Sequence, residues 1–216
     1  KYSISNKNLY PSIAIIDGSL TLSLPMDISI ATMMDALSHS FESIWNKNRN
    51  EKSNHYAIEA ISLIINNYEK VKKGTGNLQA RKNLLKASNL AGLAFSNTKT
   101  AAAHSISYPL TQYFNIPHGI AASMPLTALI DINYNQITRE INIILENSKL
   151  SNVEELKNKI IDIPKGLIKY SLKEYGIRKE DIINIIIPNS NTPDRMKNNI
   201  VNLDDKNIKY ILKSIY

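Results

Sequence analysis

The stretch MMDALSHSFESIW, Met33 to Trp45, constrains the fold more than any other part of the chain. Its Ala, Leu and Met content and its apolar spacing predict an amphipathic helix, and one this apolar is largely covered by its neighbours. Yet Asp35 and His39 stand at i and i+4, so their side chains stack on one face. A carboxylate and an imidazole inside an apolar helix need a partner, because burying them unpaired is costly.

The surrounding pattern is helical as well. SIAIIDG, Ser12 to Gly18, reads as a short extended segment of β-branched residues that ends at a turn signal, and LTLSLP continues it. After Pro25 the period changes to three and four residues. Asp27 suits the positive end of a helix that starts there. Further helices are predicted from about Asn54 to Lys73, closed by Gly74 and Gly76, and from about Leu78 to Phe95. Another is predicted from near Thr100, with Pro109 expected to bend or end it. NIPHG reads as a loop, and a fifth helix follows to about Ile130. The last third reads as short helices broken by Pro164, Pro188 and Pro193, with Ser151 and Glu154 as a capping box and a final helix starting at Asp204. The expected fold is all-α, with a short β lead-in over 1–24 and a helical domain over 25–216.

Composition removes several functions. With 216 residues, 43% of them hydrophobic, the chain can bury a real core. The net charge of +7 comes mostly from Lys, but no basic run with interleaved aromatics appears, so nucleic acid is not an expected partner. There is no Cys, which excludes disulfides and thiolate metal sites. No apolar run reaches the roughly 18 residues of a membrane span.

Of the four His, three keep unusual company. His39 has Asp35, His104 lies among small residues in TAAAHSIS, and His118 lies in IPHG. On one straight helix His104 and His118 would be roughly 21 Å apart, so a shared site requires the chain to turn back between them. Asp35, His39, His104 and His118 together would suit Fe(II) or Zn(II) and leave one or two positions open, as catalysis needs. Taken singly, each also reads as an ordinary ion pair or core histidine. His55, at a polar helix start, reads as exposed and silent.

Three blocks resemble the iron-containing alcohol dehydrogenase family. MMDALSHSFESIW is similar to its GMDALTHAxEAY segment. AAAHSISYPLTQYFNIPHGIAASMPL is similar to VHxxxHPLGxxFxxPHGxANAxLLP, and SIAIIDGSLTLSLP to PKVAIVDPELTLTLP. HYAIEAISLI, NLLKASNLAGLAFSN and RMKNNIVNLDDKNIKYILKSIY extend the likeness over nearly the whole chain.

The resemblance implies that Asp35, His39, His104 and His118 are the metal ligands, with Fe(II) as the expected ion and Zn(II) as the alternative. It implies the C-terminal helical half of a dehydroquinate synthase-like fold, in which the metal polarises an aldehyde carbonyl for hydride transfer from NAD(P)H. The nucleotide would be held mainly by an N-terminal Rossmann-like domain. None of the seven Gly forms a GGGS or GxGxxG cluster, and the chain opens on Lys1, so that domain is expected upstream and the chain alone is expected to be inactive. A cytoplasmic homodimer acting on a small aldehyde or alcohol is the accompanying expectation. A metal-binding helical module without activity is the alternative.

Two departures from the family text matter. The family often has a second His four residues after the first of VHxxxH, implicated in proton transfer; here it is Tyr108. The text before that His is usually closer to NAGLGAVH; here it is NTKTAAAH. The TKTAAAH–SYPL–PHG combination resembles the phosphonoacetaldehyde reductase branch. It implies Lys99, with Thr98 and Thr100, as contacts for an anionic substrate group, against the plainer reading of Lys99 as a surface loop cation.

Overall fold

The computed structural model describes residues 6–74 and 76–216. Seven helices carry most of it: α1 (Met26–Ile44), α2 (Glu51–Lys72), α3 (Leu78–Thr98), α4 (Ala102–Phe114), α5 (His118–Ser123), α6 (Leu126–Ser148) and α7 (Val153–Asp162). Short turns follow, including Pro193–Met196, and the chain closes on the helix Asp205–Ser214. No helix among the described residues is long and apolar enough to cross a membrane.

The predicted apolar helix is α1, and it lies at the centre. It packs against α2, α3 and α5 and also meets α4 and α6. Ile30, Met34, Leu37, Phe41, Ile44 and Trp45 are fully buried along it. The Phe41 and Trp45 rings stack with centroids 5.5 Å apart. Arg81, on α3, ties the start of α1 in place by donating to Ser29 Oγ at 2.6 Å.

The extended lead-in does not form a strand. Among the described residues no strand is present, and one isolated bridge pairs Asn46 with Asn199. A strand exists only in a ladder, and among the described residues no second strand lies beside SIAIIDG. Ile13 and Ile15 are instead 82% and 89% exposed, and the segment ends in a 3-10 turn at Gly18–Thr21. Residues 1–5 of that span lie outside the described residues.

Other local expectations shift. Pro109 does not end α4, which runs through it to Phe114: the lost N–H bond and the crowding of the carbonyl one turn back are local, and the helix holds on either side. The chain turns back after Asn115, which takes the left-handed conformation at φ 54°. The cap of α7 is Asn152, whose side chain accepts the Glu155 N–H at 2.9 Å, rather than Ser151. The helix expected to fade at Ile130 breaks instead at Met124–Pro125, and α6 then continues to Ser148 with a kink at Ile137. The final helix starts from Asp204, as expected, with Asn207 completing its capping box.

Candidate metal centre

Three helices bring Asp35, His39, His104 and His118 to one place. Asp35 and His39 come from α1, His104 from the first turn of α4 and His118 from the first residue of α5. The α4–α5 turn is what folds His118 back. Gly119 lets α5 press onto α1 beside Asp35. Asp35 Oδ2 lies 3.8 Å from His39 Nδ1, and Asp35 Oδ1 lies 3.7 Å from both His104 Nε2 and His118 Nε2. Donors of Asp35, His39 and His104 all fall within 4.8 Å of one another. His118, 39% exposed at its side chain, joins them through Asp35.

These separations are too long for hydrogen bonds. They are close to the spacing of atoms that share an ion, about 3.4 Å for tetrahedral donors about 2.1 Å from the metal. Asp35 Oδ1 and His104 Nε2 are both buried and have no hydrogen-bond partner. Two orphaned polar atoms aimed at each other are costly in a packed interior, and a cation between them removes that cost. The donor set therefore fits a divalent metal.

The rings are held by stacking. His39 lies between Phe95 and His104, with centroids at 4.3 and 4.4 Å and interplanar angles of 19° and 26°. His104 meets His118 at 5.2 Å. On the far side of His104 sits Glu42, fully buried, with Oε2 2.6 Å from His104 Nδ1.

Charge follows from this packing. Burial pushes His39 down, and the neighbouring His104 adds to the effect, to about 4. Burial also works against charging His104, but the Glu42 charge and the Asp35 and Glu42 carboxylates outweigh it and raise the imidazole to about 9. Burial works to raise Asp35, and the imidazoles of His104 and His39 overcome it and hold the carboxylate below its ordinary value. Glu42 is likewise held low, its burial outweighed by His104.

The other predicted residues lie around this centre. Thr98, Lys99 and Thr100 form the turn between α3 and α4, and Lys99 has a left-handed φ of 68°. Three asparagine amides hold successive carbonyls of that turn: Asn48 donates to Thr98 at 3.3 Å, Asn46 to Lys99 at 3.1 Å and Asn198 to Thr100 at 2.8 Å. The Thr98 side chain is buried, and its hydroxyl is engaged by Ser43 and the Lys99 carbonyl. Thr100 is half-buried, and the Lys99 side chain is exposed. Tyr108, one turn beyond His104 on α4, accepts a hydrogen bond from Arg195 Nε, and the Arg195 guanidinium lies 5.0 Å from its ring centre. His55 is exposed and pairs loosely with Glu59 at 3.9 Å.

Sequence reasoning missed Glu42, Phe95 and Arg195. Glu42 had a signal, since it continues the Asp35–His39 stripe at i+7. Phe95 reads as an ordinary end to α3, and Arg195 lies 87 residues from its Tyr108 partner.

Residues 29–216 match the model of the Fe-containing alcohol dehydrogenase family, C-terminal. An NADPH-dependent butanol dehydrogenase of Clostridium saccharobutylicum is 31% identical over 192 residues, covering 85% of this chain and 49% of that protein. A 4-hydroxybutyrate dehydrogenase of Clostridium kluyveri is 28% identical over 84% of this chain and 51% of its own length. The chain thus spans about half the length of these curated relatives. Among solved structures, sulfoacetaldehyde reductase from Bifidobacterium kashiwanohense in complex with NAD+ superposes with a TM-score of 0.87 at 28% identity, covering 98% of this chain and 56% of that one.

Proposed function

The chain belongs to the Fe-containing alcohol dehydrogenase family, matching its C-terminal part, and on that premise we propose that it supplies the metal-bearing wall of an oxidoreductase that interconverts an aldehyde and an alcohol. The observation that carries this reading is the facing pair of buried, unpartnered atoms, Asp35 Oδ1 and His104 Nε2, 3.7 Å apart. Asp35, His39, His104 and His118 would hold the ion, Fe(II) by family and Zn(II) as the alternative that the same donors accept. Such an ion polarises a substrate carbonyl as a Lewis acid, and NAD(P)H, held mainly by an N-terminal Rossmann-like domain, supplies the hydride. In this reading residues 25–216 are the metal domain and 1–24 lead into it from the nucleotide domain. The whole enzyme works in the cytoplasm as a homodimer.

The residues of this chain have distinct tasks. Asp35 provides the negative charge that offsets the ion. Phe95 and His104 clamp the His39 ring, so its donor atom is aimed before any ligand arrives. Tyr108, held by Arg195, is the proton-relay candidate at the position where relatives often carry His. Lys99 stands on a backbone turn fixed by three amides and is the contact proposed for an anionic group on the substrate, such as a phosphonate. Likeness to a sulfoacetaldehyde reductase supports a small anionic aldehyde.

The test is metal content of the purified chain by mass spectrometry, beside His104→Ala. About one ion per chain, lost in the variant, is the expected result. A chain that takes up neither Fe(II) nor Zn(II) rejects the reading.

A further inference from the structure

Glu42 is fully buried, and each of its oxygens meets a donor of His104, with the Ala101 backbone as a further contact. Oε1 accepts the His104 backbone N–H at 3.0 Å, and Oε2 lies 2.6 Å from His104 Nδ1. Nothing about the metal donors requires this, since Glu42 lies on the opposite side of the His104 ring from Asp35. Its place follows from α1: Asp35, His39 and Glu42 fall at i, i+4 and i+7, one stripe that runs from the cluster to the first turn of α4.

Two consequences follow. First, the residue that caps α4, Ala101, has no side-chain oxygen to offer, and Glu42 reaches across from α1 to accept a free N–H of the first turn. A carboxylate also suits the positive end of a helix. Second, a carboxylate has no proton to give, so the Nδ1 contact is an N–H donated by His104. Once an ion displaces the other ring proton, the lone pair is therefore on Nε2, the nitrogen that faces Asp35 Oδ1 without a partner. An imidazole can donate a lone pair to a cation from one nitrogen only while the other holds the proton.

We propose that Glu42 is a positioning residue for the metal centre: it fixes the His104 ring and its Nδ1–H tautomer, so that Nε2 is presented to a divalent cation that Glu42 never touches. The inference rests on the metal reading of Asp35, His39, His104 and His118. Outer-shell carboxylates of this kind typically set metal affinity by about 10- to 100-fold.

The test is Glu42→Gln, which keeps the shape but has one acceptor oxygen where the carboxylate has two. With the amide oxygen on the His104 backbone N–H, the amide NH2 either opposes the Nδ1–H or donates to an unprotonated Nδ1, which moves the ring proton onto Nε2. Zn(II) affinity of the unmodified chain and the variant is measured by competition with a chelator, with circular dichroism reporting the fold. The expected result is a folded variant that binds Zn(II) about 10- to 100-fold more weakly. A folded variant with unchanged affinity overturns the proposal, because a purely structural carboxylate would lower only the melting temperature. Imidazole nitrogen NMR of the Zn(II)-loaded unmodified chain gives a result that does not depend on the variant folding. His104 bound through Nε2, with the proton on Nδ1, is expected, and the reverse assignment overturns the proposal. An unmodified chain that takes up no Zn(II) rejects the metal reading and this inference with it. Unchanged variant affinity rejects the inference alone.

Discussion

Gly119 lies directly on Ala31: a Cβ placed on Gly119 would stand 2.0 Å from the Ala31 carbonyl oxygen and 2.8 Å from Asp35 Cβ. The missing side chain is what lets α5 sit against α1, and it is how His118 comes within 3.7 Å of Asp35. Backbone cannot yield 2.0 Å as a flexible side chain could, so Gly119→Ala must lift the start of α5. We expect a loss of about 1–3 kcal/mol in stability from overpacking and a weaker metal site, because His118 moves with α5. Melting temperature and Zn(II) affinity check both. A variant that keeps full affinity would mean that His118 contributes nothing to binding.

Protons should leave when metal enters. His104 stands at about 9 and His39 at about 4, so at pH 7 the first holds a proton that an ion must displace and the second does not. These two residues together should release about one proton per ion at pH 7, and affinity should climb with pH before levelling off above about 9. Calorimetry in buffers of different ionisation heat measures the count. Zero release at pH 7 would contradict the His104 environment described here.

The metal-free chain should show the matching stability profile. His104 is raised above its unfolded value, so its contribution is fully present below about pH 6.5 and disappears as pH rises through about 9. His39 is depressed, so its contribution is present above about pH 6.5 and disappears as pH falls through about 4. Denaturant midpoints across that range, compared with His39→Gln and His104→Gln, separate the two limbs. His39→Gln should flatten the acid limb, and His104→Gln should flatten the alkaline limb and also soften the acid one, because the His104 charge helps to depress His39.

Lys99→Ala tests the anionic-substrate proposal in the enzyme that holds the nucleotide. The KM for an anionic aldehyde such as phosphonoacetaldehyde should rise about tenfold or more, with little change for an uncharged aldehyde of similar size. Equal losses on both substrates would remove Lys99 from anion recognition.

Tyr108→Phe removes the hydroxyl that Arg195 holds and leaves the ring in place. If that hydroxyl relays the proton, kcat should fall roughly a hundredfold and the pH–rate profile should change shape. A fall in rate with the same profile would assign Tyr108 to packing rather than proton transfer.

Much of this protein is legible in one dimension. The period of α1 predicts its burial, and the i, i+4 spacing places Asp35 and His39 on one face whatever surrounds them. The motifs around His104 and His118 mark those residues through resemblance. The start of the closing helix can be read directly from Asp204. The lead-in could not be read this way, because β-branched residues show a preference for strand but cannot supply the second strand that a ladder requires.

Local sequence fixes which side chains share a helix face, since that depends only on the pitch of the helix. It does not fix what that face meets. Glu42 reaches His104 across 62 residues and Arg195 reaches Tyr108 across 87. The close seat of Gly119 on Ala31 likewise joins two helices far apart in the chain. Only the tertiary structure decided these contacts, because packing chooses the partners of a side chain from every element that reaches it, and the order of residues along one helix carries no record of that choice.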